Sequence, residues 1–207
     1  MEALVDSSPP QVGELVGVLL AAGAGTRFGG RKLLQPLANG TPVGVASLRN
    51  LKSAIKRIVA VVREGDDELA EVLRSEDVQV ISSKEAWRGM GHSLASAVAR
   101  TQDAQGWVVA LGDMPAIQSS TIGMIARELR NHQRIVLPVY EGKRGHPVGF
   151  PHSLRAQLEQ LSGDAGARSL IQARSENVLR IAVSDAGVLQ DVDTIGDLKA
   201  LDIQRPG

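Results

Sequence analysis

Seven apolar or small residues, Val16-Gly-Val-Leu-Leu-Ala-Ala22, run without a polar side chain and then open into Gly23-Ala-Gly-Thr-Arg-Phe-Gly-Gly-Arg-Lys32. A run of this length without alternation suits a strand covered on both faces, and such strands belong to parallel sheets flanked by helices. The segment after it carries four glycines and three cations within ten residues. Glycine lets the backbone approach a ligand closely and aim N–H groups at anionic oxygens. Arg27 adds a charged fork and Lys32 a point charge. The expectation is a loop that holds a nucleotide triphosphate; the plainer alternative is a strand-to-helix turn with solvated cations.

Spacing excludes two familiar phosphate loops. A Walker loop needs Gly, four residues, then Gly-Lys-Ser/Thr, whereas Gly25 and Gly30 are followed by Arg31-Lys32-Leu33. A dinucleotide fingerprint needs Gly-x-Gly-x-x-Gly, and Gly23-x-Gly25 is followed at the third glycine's place by Phe28.

The remaining chain alternates strand and helix patterns. Strands are expected at Val16–Ala22, Ile58–Val62, Val78–Ile81, Trp107–Leu111, Ile135–Val139, Val148–Phe150, Val178–Val183 and Val188–Val192. Pro138 marks the fifth of these as ending there or lying at an edge. Helices are expected at Thr41–Ile55, Asp66–Leu73, Ser93–Arg100, Ser120–Asn131, Leu154–Leu161, from Arg168 to Ala173, and at Thr194–Leu201 with Thr194 as its cap. Two further glycine-broken loops, Trp87–Ser93 and Gly163–Arg168, precede helices. The alternation implies a three-layer, Rossmann-like α/β fold with a mainly parallel, doubly wound sheet. Residues 15–207 read as one domain and residues 1–14 as a loosely packed tail.

Composition narrows the function classes. Lys+Arg and Asp+Glu are equal at 23 each, and aromatics are 2%, so neither a basic surface nor a stacking platform for nucleic acid is expected. There is no cysteine, which removes thiolate catalysis and cysteine-held zinc. No apolar run approaches the roughly 20 residues of a membrane helix. The first fourteen residues lack the charged and apolar regions of a secretory leader. A cytoplasmic location is expected.

Asp113 follows the fourth strand in Leu111-Gly-Asp-Met-Pro115. A carboxylate at the end of a buried strand needs a partner, and magnesium held by one or two carboxylates plus phosphates would supply it. The alternative is an ordinary turn aspartate. In Asp191-Val-Asp193-Thr194, residues two apart share a face in a strand, so one of the two aspartates can complete the metal site. Asp193 or Thr194 can instead cap the last helix, and Asp191, farther from the cap, is the preferred ligand.

These motifs, in this order, resemble the molybdenum cofactor nucleotidyltransferase family. The match rests on Leu20-Ala-Ala-Gly-Ala-Gly-Thr-Arg-Phe-Gly-Gly-x-Lys32, Gly112-Asp-Met-Pro115, Gly145-His-Pro147 and Asp191-Val-Asp-Thr194, and spans about Val16 to Leu201. The branch most resembled contains molybdopterin cytidylyltransferase. The resemblance implies a fold of the nucleotide-diphospho-sugar transferase type and Mg2+-dependent transfer of CMP from CTP. The acceptor would be the terminal phosphate of molybdenum-bound molybdopterin, with release of pyrophosphate and a transient contact with a molybdoenzyme client. It implies nucleotide contacts at Leu20, Ala21, Ala22, Gly23 and Gly25, and at Gly91 and Ser93 in the second glycine-broken loop. Arg27 and Lys32 would hold the triphosphate, and Asp113 and Asp191 the metal. Guanylyl-transferring relatives tend to carry Leu-Ala-Gly-Gly and Gly-Pro-Leu-Ala-Gly, where this chain has Leu20-Ala-Ala-Gly23 and Gly89-Met-Gly-His-Ser-Leu94. Both departures favour CTP over GTP.

Arg168 is a candidate for an acceptor phosphate, against a surface arginine at a helix start. His146, before Pro147, is a candidate acceptor contact, against a structural turn role. His132 and His152 read as surface residues, and His92 as a residue whose backbone matters more than its ring. Three alternatives stand beside the cytidylyl reading: a guanylyltransferase, the same chemistry on another phosphorylated small molecule, and a non-catalytic chaperone for the finished cofactor.

Overall fold

The computed structural model describes residues 13–23 and 31–204. Gly25 and Arg27 lie outside the described residues, as do the first twelve residues of the expected tail. The described strands are β1 (Val16–Leu20), β2 (Arg57–Arg63), β3 (Gln79–Ser83), β4 (Gly106–Leu111), β5 (Ile135–Tyr140), β6 (Lys143–Arg144), β7 (Val148–Pro151) and β8 (Val178–Ala182). The described α-helices are α1 (Val43–Lys52), α2 (Asp67–Arg74), α3 (Met90–Ala99), α4 (Ser119–His132), α5 (Arg155–Glu159), α6 (Arg168–Ala173) and α7 (Ile195–Gln204).

All eight strands form one sheet, ordered β3-β2-β1-β4-β7-β5, with β6 and β8 both pairing with β5. β1 lies parallel between β2 and β4, with Leu20 opposite Val61 on one side and Leu111 on the other. β5 and β8 are also parallel. β7 runs antiparallel to both β4 and β5, so the sheet is mixed.

β1 shows why the sheet is covered twice. Leu15, Leu19 and Ala21 face a core completed by residues of α1, α2, α4 and α7. Val16, Val18 and Leu20 face a second core built on α3, α5 and α6. Gly17 leaves room for Ile58, whose Cδ1 would lie 2.5 Å from a Cβ placed there. Trp107 is fully buried in the second core, its Nε1–H donating to Thr101 Oγ1 at 2.8 Å. Among the described residues no helix is long and apolar enough to cross a membrane.

Four local expectations change. The stretch from Val188 to Val192 is not a strand: Ala186–Leu189 is a 3-10 turn, and the residues after it are irregular. Its backbone groups go to two different elements, the Val188 carbonyl to His146 N–H (3.0 Å) and the Val192 N–H to the Asp113 carbonyl (2.9 Å). No single ladder can therefore form. Pro138 does not end β5 or mark an edge, because it lies opposite Ile181 of β8. The other side of β5 passes from β7 at Val136 to β6 at Val139, and the absent N–H falls in that handover. The expected helix at Leu154–Leu161 is a 3-10 turn over His152–Leu154 followed by the short α5. His152 is half-buried rather than a surface residue, stacked on Trp107 with Nδ1 2.7 Å from the Ala104 carbonyl.

One buried carboxylate ties α4 to the segment before Val188. Asp185 is 3% exposed and accepts from Gln118 N–H (2.9 Å), Thr121 Oγ1 (2.8 Å) and Gly187 N–H (3.0 Å). It thus satisfies free donors at the positive end of the α4 dipole. Asp185→Ala leaves those donors buried without a partner and is expected to cost about 2–4 kcal/mol. Urea unfolding followed by circular dichroism measures it, and a loss below about 0.5 kcal/mol would contradict this role.

Candidate active site

The site lies beyond the carboxyl ends of β1, β2 and β4, where ligands bind in sheets of this kind. Parallel pairing of β1 and β4 brings the loop after Leu20 and the residues after Leu111 to one edge, as the strand alternation implies. Lys32 begins a 3-10 turn over Lys32–Leu34, anchored by the buried Leu33. Its ammonium donates to Asp113 Oδ2 at 2.7 Å and to Asp193 Oδ1 at 3.0 Å, with the lysine side chain only 11% exposed. Burial works against the charged lysine, but the bonds and charges of Asp113 and Asp193 outweigh it, and the Lys32 pKa is raised.

Asp113 is held from several directions. Ser47 Oγ of α1 donates to the Gly112 carbonyl (2.9 Å), and Asn50 Nδ2 to the Pro115 carbonyl (2.8 Å). The Asp113 carbonyl takes the Val192 N–H. Ser47 and Asn50 are positioning residues that sequence reasoning missed. Their signal is a pair of polar residues three apart beside the apolar stripe of α1.

The Asp191–Thr194 segment resolves its own competing roles. Thr194 caps α7, its Oγ1 accepting from Asp197 N–H at 3.2 Å. Asp197 Oδ2 accepts in return from the N–H groups of Asp193 (3.0 Å) and Thr194 (2.7 Å), completing a capping box. The Asp193 side chain therefore faces Lys32 rather than the helix. The Asp191 carboxyl is pushed up by burial and then by the charges of Asp193 and Asp113, against the pull of Lys32. Two carboxylates thus bond one ammonium, and the charge of a third, Asp191, is coupled to them. No group of three or more acidic or histidine side chains among the described residues is placed to hold a metal alone. A divalent ion at Asp113 and Asp191 would take its other ligands from phosphates, as magnesium commonly does.

Two hollows lie at this edge, and Lys32 and Asp113 line the first. The first is lined by Leu20, Ala22, Gly23 and Lys32, by Ala86, Trp87, Gly89, Met90 and Ser93, and by Arg63 and Asp113. The second is lined largely by apolar residues, including Leu94, Leu137 and Phe150, with Arg144, His146 and Arg168 as its basic groups. Leu20, Met90, Leu111 and Asp164 line both, so the hollows are contiguous. His146 Nδ1 is buried without a hydrogen-bond partner among the described residues. Burial lowers the His146 pKa, against the charge of Asp113 and the Val109 carbonyl, which favours a neutral ring at neutral pH.

The structure brings Leu20, Ala22, Gly23, Lys32, Ser93 and Asp113 together around the first hollow, and places His146 and Arg168 in the second. Gly91 and Ser93 lie in the first turn of α3, not in a loop before it, because the helix starts at Met90 after Gly89 in a left-handed conformation (φ 119°). This start clasps the Gly163 loop. Gly91 N–H donates to the Gly163 carbonyl (2.9 Å), and Gly163 N–H donates to the His92 ring at Nδ1 (3.3 Å). The ring of His92 therefore matters as well as its backbone. Trp87, 74% exposed at the rim, and Arg63 and Asp164 in the walls are site-lining residues that motif reading passed over.

Comparison with known proteins decides the family. Residues 17–178 match the MobA-like NTP transferase domain. The chain belongs to the MobA-like NTP transferases. It is 32% identical to nicotine blue oxidoreductase of Paenarthrobacter nicotinovorans, over 90% of this chain and 96% of that one. Among solved structures, Rv0371c of Mycobacterium tuberculosis H37Rv superposes with a TM-score of 0.79 at 30% identity, covering 90% of this chain and 96% of the other. A manganese complex of Rv0371c superposes at 0.78 with 27% identity, over 92% and 99%.

Close packing of the two glycine loops can be tested directly. A Cβ at Gly91 would lie 2.7–2.8 Å from Ser162 backbone atoms, whereas one at Gly123 in α4 meets nothing within 4 Å. Gly91→Ala is expected to lower the thermal midpoint by several degrees, the equivalent of about 1–3 kcal/mol. Gly123→Ala should raise it modestly, by about 0.5–1 kcal/mol of helix propensity. Equal midpoints for the two variants would show that the loops are not packed as described.

Proposed function

We propose that this nucleotidyltransferase moves CMP from CTP to the terminal phosphate of molybdenum-bound molybdopterin and releases pyrophosphate. The single observation that carries the reading is the Lys32–Asp113–Asp193 cluster, whose Lys32 and Asp113 line the first of two contiguous hollows. One hollow is walled by the Leu20–Gly23 signature and the start of α3, and suits a nucleotide. The other combines apolar side chains with Arg144, His146 and Arg168, and suits a heterocycle bearing a phosphate. The manganese complex of Rv0371c supports a divalent ion in the chemistry.

In the proposed reaction an oxygen of the acceptor phosphate attacks the α-phosphorus of CTP. The bond from that phosphorus to its bridging oxygen breaks, and pyrophosphate leaves with the electron pair. The nucleophile is already ionised at neutral pH, so no side chain has to activate it. What the chain must supply is in-line placement and neutralisation of charge on the phosphate oxygens. Lys32 supplies one cation, with Asp193 orienting it. Arg27, outside the described residues, supplies another. Asp113 and Asp191 would hold magnesium, which would contribute charge neutralisation. His146 and Arg168 contact the acceptor, the arginine at its phosphate.

A second reading is favoured by the similarity to nicotine blue oxidoreductase, in which the first hollow would hold a redox nucleotide instead. One comparison separates the two. Protein given CTP, magnesium and molybdenum-loaded molybdopterin should release pyrophosphate and should not consume reduced nicotinamide or flavin. Asp113→Ala is expected to lower pyrophosphate release at least about a thousandfold, and Lys32→Ala about a hundredfold. Turnover that survives Asp113→Ala would remove that residue from the metal site, and reductant consumption without pyrophosphate would support the oxidoreductase reading.

A further inference from the structure

Arg63 is the last residue of β2, and no motif draws attention to it. Its Nε is buried with no hydrogen-bond partner among the described residues. One terminal nitrogen reaches the Ala22 carbonyl at 3.4 Å, a long contact for an N–H donor. The neighbouring Glu64 is turned toward Lys84, 3.7 Å away. A half-buried guanidinium with donors to spare among the described residues is costly unless something else accepts from it, and a ligand in the hollow can. Arg63 lines the first hollow together with Ala22, Gly23, Trp87 and Gly89.

Its place in the register shows which part of a ligand it meets. Val61 and Leu111 both lie opposite Leu20, so Arg63 and Asp113 each sit two residues beyond matched positions on the strands flanking β1. Two strand spacings separate those strands, about 10 Å. With phosphates and metal at Asp113, Arg63 lies on the far side of the ribose, next to the segment that starts α3, where the base would rest.

Resting on the nucleotidyltransferase reading above, we infer that Arg63 reads the nucleobase by donating two parallel N–H bonds to a pair of adjacent acceptor atoms. A guanidinium has only donors, set in a fixed fork. Cytosine offers O2 and N3 side by side. Guanine offers O6 and N7. Uracil sets an N–H between its carbonyls, and adenine pairs N7 with an amino group, so each turns a donor toward the fork. The chain therefore takes cytidine or guanosine triphosphate and discriminates against uridine and adenosine triphosphates.

Calorimetry of the magnesium complexes of CTP, UTP, GTP and ATP tests this on the intact chain and on Arg63→Met and Arg63→Lys. The unaltered protein is expected to favour CTP over UTP and GTP over ATP by about tenfold or more, the size of a bidentate base contact. Arg63→Met should abolish both preferences and leave the UTP and ATP affinities within about twofold. Arg63→Lys keeps the stem and the charge, protects the fold, and should lose the preferences as well because a lysine has no fork. Preferences that persist in either folded variant would overturn the assignment. So would an equal loss across all four nucleotides, which would make Arg63 a phosphate contact. Failure of the unaltered protein to bind any of the four would instead overturn the nucleotidyltransferase reading, and this inference with it.

Discussion

The ammonium of Lys32 holds together three segments that are distant in the chain. It lies just after the first glycine loop, Asp113 follows the fourth strand, and Asp193 precedes the last helix. Removing either carboxylate would leave a largely buried cation short of a partner, and removing the lysine would leave like charges facing one another. Much of the local architecture serves this contact. Leu33 anchors the turn that carries the lysine, Ser47 and Asn50 hold the Gly112–Pro115 backbone, and the Thr194–Asp197 box frees the Asp193 side chain. The energetic cost of bringing these charges together is met by burial elsewhere, in the two cores that flank β1.

The direction of β7 explains how the second hollow reaches the same edge. The parallel strands all end at the edge of the sheet that carries the site, and a parallel β7 would begin at the opposite edge. Because β7 is antiparallel to β4 and β5, its first residue lies at the site and so does the turn that precedes it. Arg144 and His146 belong to that turn region. His146 is fixed there by its N–H to the Val188 carbonyl, and Gly145 by its N–H to the Pro138 carbonyl. A Cβ at Gly145 would lie 2.4 Å from the Val188 carbonyl oxygen, so the turn can approach the 186–189 segment only with glycine there.

Much of this was legible in the residues. β1, β2 and β4 are unbroken apolar runs, and buried parallel strands leave that trace. The convergence of Lys32 and Asp113 followed from both standing just beyond such strands. The rest depended on tertiary partners. Val188 and Val192 read as strand residues because β-branched side chains four apart suit several conformations, and only the competing bonds to His146 and Asp113 exclude a ladder. Pro138 read as an edge because the switch from β7 to β6 along β5 leaves no local mark. Arg63 carries no signal in a single sequence, since a charged residue at a strand end is ordinary until its surroundings are known. The choice between Asp193 and Thr194 as cap turned on Asp197, whose place in the capping box is visible at the right spacing once Thr194 is taken as the cap.

The balance of charge at the junction bears on whether the pocket only binds or also transfers. Asp113 and Asp193 both bond one ammonium, and the pKa of Asp191 is raised first by burial and then by the charges of those two carboxylates. The Lys32 ammonium is already matched by Asp113 and Asp193, so it offers a bare triphosphate little free positive charge. A site selected only to hold an anion gains nothing from that arrangement, since each carboxylate weakens binding. In a site that takes the triphosphate with a divalent ion the same carboxylates would be an advantage, since they would hold the ion and it would supply charge neutralisation to the phosphates. The carboxylates that make a passive binder worse are the ones that make a metal-dependent transferase possible, and this supports the transferase reading over a cofactor-escorting chaperone.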